Sequence, residues 1–147
     1  MAARFGQYEL LAKLGAGGMG AVYKARDTKL DRIVALKVMN PGVVSAQARA
    51  RFQREIQVLA KLKHPNIVKL LAVGNVKGRA FFTREYIEGR TLGEVIATKG
   101  GGRRTKDERG RLIEILAKVA RAVHSAHTQD VIHRDLKPSN IMVGEDG

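Results

Sequence analysis

The sequence predicts an α+β fold in which an antiparallel sheet is followed by a mainly helical segment. Five short runs of apolar, β-branched and aromatic residues before residue 87 are typical of strands, and one helical repeat lies between the third and the fourth. Beyond residue 90 the apolar residues recur with helical spacing. We therefore divide the chain into a sheet-rich part, 1–88, and a helical part, 89–147.

The composition is that of a globular protein, and the lack of cysteine fits a reducing compartment. Of the 147 residues, 44% are hydrophobic and 28% are charged, which argues against wholesale disorder. The absence of cysteine excludes disulfides, thiolate metal sites and a cysteine nucleophile. No apolar run approaches the ~20 residues of a membrane span, and the first residues lack a signal-peptide core. We expect a cytoplasmic protein with no membrane span in this chain.

The formal net charge of +13 predicts non-specific attraction to polyanions. Aromatic residues are few and zinc-finger spacing is absent, so we expect no specific nucleic-acid partner. A basic interaction protein that binds polyanions is kept as an alternative function.

A strand predicted at residues 8–14 runs into a glycine-rich segment that begins at Gly15. Glycines there would let the backbone approach phosphate oxygens with free amides. The pattern G-x-G-x-x-G is weak evidence by itself, because ordinary hairpins and Rossmann folds also carry it. A Rossmann fold needs a helix at the glycines, whereas residues 21–25 continue as a strand. A hairpin that covers a nucleotide is the better interpretation.

A strongly apolar strand at residues 33–39 contains one lysine, Lys37. Helical periodicity follows over residues 45–62, and Glu55 lies on the flank of its apolar stripe. Glu55 is the only acidic residue between Asp31 and Glu85. If Lys37 has a local carboxylate partner, Glu55 is the one available.

The remaining elements follow from the same patterns. We predict strands at 68–73 and 79–86, joined by a turn at 75–78, then a short helix at 91–97 and a solvated basic loop at 99–104. A capping box at Thr105 starts a long helix that ends near Gln129. Its predicted apolar stripe consists of Leu112, Leu116, Val119, Ala120 and Val123. Residues 131–143 then predict a polar loop between two small buried strands.

Three segments resemble the protein kinase family. Residues 133–140 match H-R-D-L-x-x-x-N at every specified position, and residues 15–22 match G-x-G-x-x-G-x-V in full. Residues 34–37 match V-A-I-K with Leu for Ile. The chain is closest to bacterial serine/threonine kinases of the eukaryotic type. The resemblance implies a five-stranded antiparallel N-lobe with an αC helix, then a partial helical C-lobe of αD, αE and the catalytic loop.

The resemblance also implies ATP and Mg²⁺ as cofactors and a protein substrate with a serine or threonine hydroxyl. Asp135 would accept the hydroxyl proton, Lys137 and Lys37 would act on phosphate charge, and Asn140 would bind one Mg²⁺. The implied nucleotide-binding residues are Leu14, Gly15, Ala16, Gly17, Gly18, Met19, Gly20, Val22, Ala35, Lys37, Glu55, Glu85 and Ile87.

Two departures from the family pattern stand out. Arg84 falls on the gatekeeper position, which is usually apolar or small, so either the strand register differs by one or the pocket is altered. No D-F-G follows Asn140 before the sequence ends. We therefore expect impaired phosphoryl transfer by this chain, with a non-catalytic, pseudokinase-like nucleotide-binding module as the alternative. We also expect the long helix to expose an apolar face that favours self-association.

Overall fold

A computed structural model describes residues 2–42, 45–98, 102–133 and 135–146. The chain divides into two compact units. The first comprises Met1–Lys63 and Val68–Tyr86, and the second comprises His64–Ile67 and Ile87–Gly147. The residues that the sequence predicted for the basic loop at 99–101, and Arg134 of the H-R-D segment, lie outside the described ranges.

The first unit is built on a six-stranded antiparallel sheet. Its strands, numbered in chain order, are β1 Arg4–Phe5, β2 Tyr8–Ala16, β3 Gly20–Asp27, β4 Arg32–Met39, β5 Leu70–Val76 and β6 Arg79–Glu85. Their spatial order is β1-β2-β3-β4-β6-β5. The five predicted strands are present, and β1 adds a sixth. This strand spans two residues, and Gly6 after it has φ of 57°, so it is too short to leave a periodic pattern.

Alternating side chains divide β4 between the two faces of this sheet. Leu36 and Val38 join one buried cluster, with Tyr8 and Phe81 among its members. Met39 points to the opposite face, where it packs with Phe52 and Ile56 of the helix α1 and with Phe82 of β6. Helix α1 spans Ala46–Lys61 and is capped by Ser45, whose side chain accepts from the backbone nitrogen of Ala48. Lys37 has the same parity as Met39 and therefore lies on the face that α1 covers.

In its described residues, the second unit contains two α-helices and a small two-stranded sheet. Its elements are β7 Gly89–Thr91, α2 Leu92–Ala97, α3 Lys106–His127, a 3₁₀ turn at Pro138–Asn140 and β8 Met142–Gly144. Capping boxes start both helices, because a Thr side chain and the Glu three residues later each satisfy a free backbone amide. Strands β7 and β8 pair antiparallel. Leu92, Ile115 and Val143 form the buried core, so α3 and β8 fix the two ends of the loop between them.

Two sequence predictions for this unit were wrong in detail. Residues 131–133 form no strand, and Ile132 is 70% exposed, so a single β-strand, β8, follows the loop within the described part of this unit. On α3 the buried residues are Ile115, Ala122 and Ala126, whereas Leu116 and Ala120 of the predicted stripe are exposed. The helix carries apolar residues on two sides, and packing against α2 and β8 selects one of them. Within the described ranges, no helix is both long and apolar enough to cross a membrane.

Candidate functional site

The glycine-rich turn joins β2 to β3 as a hairpin. Gly15 lies opposite Val22 and Ala16 opposite Ala21, and the Gly17 nitrogen donates to the Gly20 oxygen at 2.9 Å. A methyl group on Gly17 or Gly18 would meet no heavy atom within 4 Å in the part of the chain that the structure describes. The backbone at these two positions is therefore open to a ligand on the side that a Cβ would occupy.

Gly20 is needed for a different reason. A Cβ there would lie 2.1 Å from the Val38 backbone oxygen, because Gly20 is the first residue of β3 and pairs with Met39 at the end of β4. The last glycine of the turn permits two strands to approach. Its role is structural even if no ligand binds.

Asn40 anchors the tip of the glycine-rich turn, and sequence reasoning missed it. Its Nδ2 donates to the backbone oxygens of Gly17 and Gly18 at 3.1 and 3.3 Å. Its backbone nitrogen donates to the Met19 oxygen at 3.0 Å. These contacts join residues 21 to 23 positions apart, so no local pattern could have revealed them.

Lys37 and Glu55 form an ion pair beside the turn. Lys37 Nζ donates to Glu55 Oε2 at 2.6 Å, with the side chains 18% and 30% exposed. Lys37 pairs across the sheet with Val22 and with Phe82, and its Nζ lies 5.9 Å from the Phe82 ring centroid. Partial burial weakens solvent screening of the pair. Helix α1 thus presents its single carboxylate to the single lysine of β4.

Of the residues that the resemblance assigns to the nucleotide, Ala35 lies on the same face as Lys37, two residues before it in β4. Ala35 is 5% exposed and pairs with Arg84 of β6, so the strand register does place Arg84 beside Ala35. The Glu85 side chain makes a hydrogen bond with the chain just before β5: its Oε2 accepts from the Lys69 backbone nitrogen at 3.0 Å. Leu14, at the start of the turn, is 49% exposed. Ile87 belongs to the second unit.

The second unit carries the polar loop that contains Asp135, Lys137 and Asn140. Lys137 Nζ lies 3.1 Å from Asp135 Oδ2. Asn140 Nδ2 donates to the Asp135 backbone oxygen at 2.7 Å, and His133 Nδ1 accepts from the Asp135 nitrogen at 3.2 Å. The loop is shaped by its own hydrogen bonds rather than by flanking strands. Because the Asn140 amide nitrogen is engaged, its Oδ1 is the atom left to serve as an acceptor or a metal ligand.

Together these contacts give each unit one polar cluster. In the first unit, the glycine hairpin with its open backbone lies beside the Lys37 ammonium group, which the Glu55 carboxylate holds in place. In the second unit, the Asp135 carboxylate, the Lys137 ammonium group and the Asn140 amide lie within five residues of one another. An acid/base group next to a cation is suited to handling a hydroxyl proton and phosphate charge.

Comparison with known proteins agrees with this geometry. The model of the protein kinase domain matches residues 8–147. The serine/threonine-protein kinase pkn3 of Myxococcus xanthus is 40% identical over 139 residues, which cover 93% of this chain and 24% of that protein. PrkC of Bacillus subtilis is 36% identical over 143 residues, covering 97% of this chain and 21% of that protein.

Solved structures show the same similarity. The PknI kinase domain of Mycobacterium tuberculosis matches with a TM-score of 0.75 and 29% identity, over 99% of this chain and 58% of that chain. The chain therefore spans about a quarter or less of the two curated relatives and somewhat more than half of the solved kinase domain. Since the family model covers nearly all of the sequence, this chain belongs to the protein kinase domain family.

Proposed function

We propose that the chain is the nucleotide-binding and catalytic-loop portion of a kinase that transfers a phosphoryl group from ATP to a serine or threonine of a protein. The observation that carries the proposal is the 2.6 Å ion pair between Lys37 and Glu55, next to a glycine hairpin with open backbone. Glu55 holds the ammonium group in place, which lets it meet phosphate charge without reorganisation.

The glycine hairpin and Lys37 of the first unit are suited to binding the triphosphate of the nucleotide. Gly15, Gly17 and Gly18 leave the hairpin backbone unobstructed, and Asn40 fixes the carbonyls of the tip. Fixing those carbonyls orients the intervening amides, which are the groups that bind phosphate oxygens in glycine-rich loops. Val22 and Ala35 would supply apolar contact to the base.

The loop of the second unit fits the acceptor side of the reaction. Asp135 would accept the proton of the substrate hydroxyl, and the ion pair with Lys137 keeps a cation within 3.1 Å of that carboxylate. Asn140 would offer its Oδ1 to one Mg²⁺, a cation that is held in such sites by few protein ligands together with substrate phosphates. When bound, the metal would neutralise phosphate charge.

We propose nucleotide binding without transfer as a second candidate function. The Lys37–Glu55 pair and the open backbone of the glycine hairpin serve binding whether or not a phosphoryl group is transferred. The charge of +13 supports, in addition, a weaker and salt-sensitive attraction of the chain to polyanions.

We also propose self-association through the exposed side of α3, where Ile113 and Leu116 lie.

The substitution Asp135→Asn tests the division of roles between the two units. We expect the dissociation constant for Mg²⁺-ATP to stay within about twofold, because Asp135 does not bind nucleotide, while transfer of the γ-phosphoryl group to a serine-containing protein falls by at least about a hundredfold. Binding is measured by calorimetry and transfer with labelled ATP. Asp107→Asn, in the first turn of α3, is the matched control.

A large loss of nucleotide affinity in Asp135→Asn, with Asp107→Asn unchanged, would contradict the proposed roles. If both proteins bind Mg²⁺-ATP and the parent shows no transfer above the variant, the second candidate function is the correct one.

A further inference from the structure

The positive charge of the chain is concentrated in the first unit. This unit holds sixteen of the 27 lysines and arginines but five of the 14 acidic residues, so it carries eleven of the 13 net positive charges. Four of those five carboxylates already accept from a donor of the same unit: Asp27, Asp31, Glu55 and Glu85. The excess cations of the first unit therefore have few internal counter-charges.

Helix α1 presents three of these cations on one side. Arg51, Arg54 and Lys61 are exposed, and at 3.6 residues per turn they lie within about 80° of one another around the helix axis. The buried residues Phe52 and Ile56 occupy the opposite side, against the sheet. We call Arg51, Arg54 and Lys61 the basic face, which extends about 15 Å along the helix.

No carboxylate of α1 neutralises the basic face. Glu55 is the single acidic residue of this helix, and its carboxylate is held by Lys37 of β4. Within the described ranges, the three side chains of the basic face make no hydrogen bond or ion pair. Like charges three or four residues apart on a helix repel, as Arg51 and Arg54 do. The charges of the basic face therefore do not stabilise the helix itself and are available to a partner.

The surroundings of the basic face favour one class of partner. The exposed residues beside its cations are small or uncharged: Ala50, Gln53 and Gln57. They offer neither the apolar side chains that enter a lipid surface nor the aromatic rings that stack on bases. Arginine presents a planar fork of donors that binds a carboxylate through two parallel hydrogen bonds. A row of cations along one helix thus complements a row of carboxylates on a polypeptide.

We propose that the basic face is a docking surface for an acidic segment of a protein partner, in which aspartate or glutamate recurs with helical spacing. Carboxylates three and seven residues apart on the partner repeat the spacing of Arg51, Arg54 and Lys61, so each cation meets one carboxylate. The Lys37–Glu55 pair is made with β4 and does not compete for the docked segment. The inference is independent of the proposed nucleotide-binding function.

Fluorescence anisotropy with a labelled helical peptide tests the proposal. The peptide carries glutamates three and seven residues apart on an alanine background, and in a reference peptide each glutamate is replaced by glutamine. We expect the parent to bind the glutamate peptide, more weakly as the salt concentration rises, and not to bind the reference peptide. Combining Arg51→Gln, Arg54→Gln and Lys61→Gln should weaken binding by about tenfold or more.

Helix α3 provides the matched control. Combining Lys106→Gln, Arg109→Gln and Arg121→Gln also removes two arginines and one lysine from exposed helix positions, but α3 intersperses its cations with Asp107, Glu108 and Glu114. This variant should keep the parent's affinity within about twofold. Circular dichroism checks that both variants fold. The single substitution Arg54→Gln, which should weaken binding about threefold, serves if the first triple variant does not fold.

Several outcomes would overturn the proposal. Equal losses of affinity in the two triple variants would show that net charge alone attracts the peptide. Equal binding of the glutamate peptide and its glutamine reference, or no binding of either by the folded parent, would show that the basic face does not recognise carboxylates. Tighter binding of a DNA duplex or of phosphatidylserine vesicles, lost with the basic face, would mean a nucleic acid or a lipid surface in place of the protein partner.

Discussion

The glycines of the hairpin between β2 and β3 serve two different physical purposes. Gly17 and Gly18 have open space where a side chain would begin, so they can contribute to ligand binding without being required for folding. Gly20 would place a Cβ 2.1 Å from a backbone oxygen of β4, which no rotamer change can relieve. One sequence motif thus combines a binding requirement with a packing requirement.

Substitution by alanine separates these two purposes. Gly20→Ala should destabilise the chain by about 3 kcal/mol, because the strands must move apart. Gly18→Ala should change the free energy of unfolding by less than about 0.5 kcal/mol, yet weaken Mg²⁺-nucleotide binding. Urea unfolding and calorimetry on the two variants provide the comparison. Equal stability of the two variants would show that β3 and β4 do not approach closely enough at Gly20 to exclude a Cβ.

At the level of single residues, the sequence predicted the Lys37–Glu55 pair because it offers one carboxylate for one strand lysine. The hydrogen bonds of Asn40 to the glycine turn and of Glu85 to Lys69 could not be predicted in this way. Both depend on which backbone groups tertiary packing brings within 3 Å, and an asparagine after a strand has no distinguishing pattern. The unusual position of Arg84 was visible in the sequence, but the strand pairing was needed to fix its register.

Secondary-structure elements were predictable where one periodicity dominates. Strands β2 to β6 and helix α1 lie within a few residues of their predicted positions. Helix α3 has apolar residues on two sides, so its existence was predictable but its buried side only in part. Of the predicted stripe, Leu112 and Val119 pack against the core, whereas Leu116 and Ala120 are exposed. Residues 131–133 are apolar enough for a strand but form no ladder in the described structure.

The exposed side of α3 should mediate association between copies of the chain. Ile113 and Leu116 are 66% and 54% exposed and lie three residues apart on the helix, so they form adjacent apolar surface. The double substitution Ile113→Gln with Leu116→Gln should lower the association seen by sedimentation velocity. Leu30→Gln removes a leucine of similar exposure, 63%, from the turn before β4 and should not. A parent that remains monomeric as its concentration rises would contradict this prediction.

At the level of the whole molecule, the chain consists of two units with different chemistry. The first, which ends at Tyr86, carries the glycine hairpin, the lysine–glutamate pair and Arg84, and the second carries the loop with Asp135, Lys137 and Asn140. The domain boundary predicted from the sequence, 88/89, stays a prediction. The central claim is that the first unit binds a nucleotide through Lys37.

Thermal unfolding of the chain with and without saturating Mg²⁺-nucleotide tests that claim most directly. A ligand at a hundredfold excess over its dissociation constant adds about 2.7 kcal/mol of stability, which corresponds to a rise in Tm of about 5–10 °C. The parent and Lys61→Met, changed at the end of α1, should show this rise, and Lys37→Met should not. If the Tm of Lys37→Met rises as much as that of the parent, or if the Tm of the parent does not rise with Mg²⁺-ATP, the claim is contradicted.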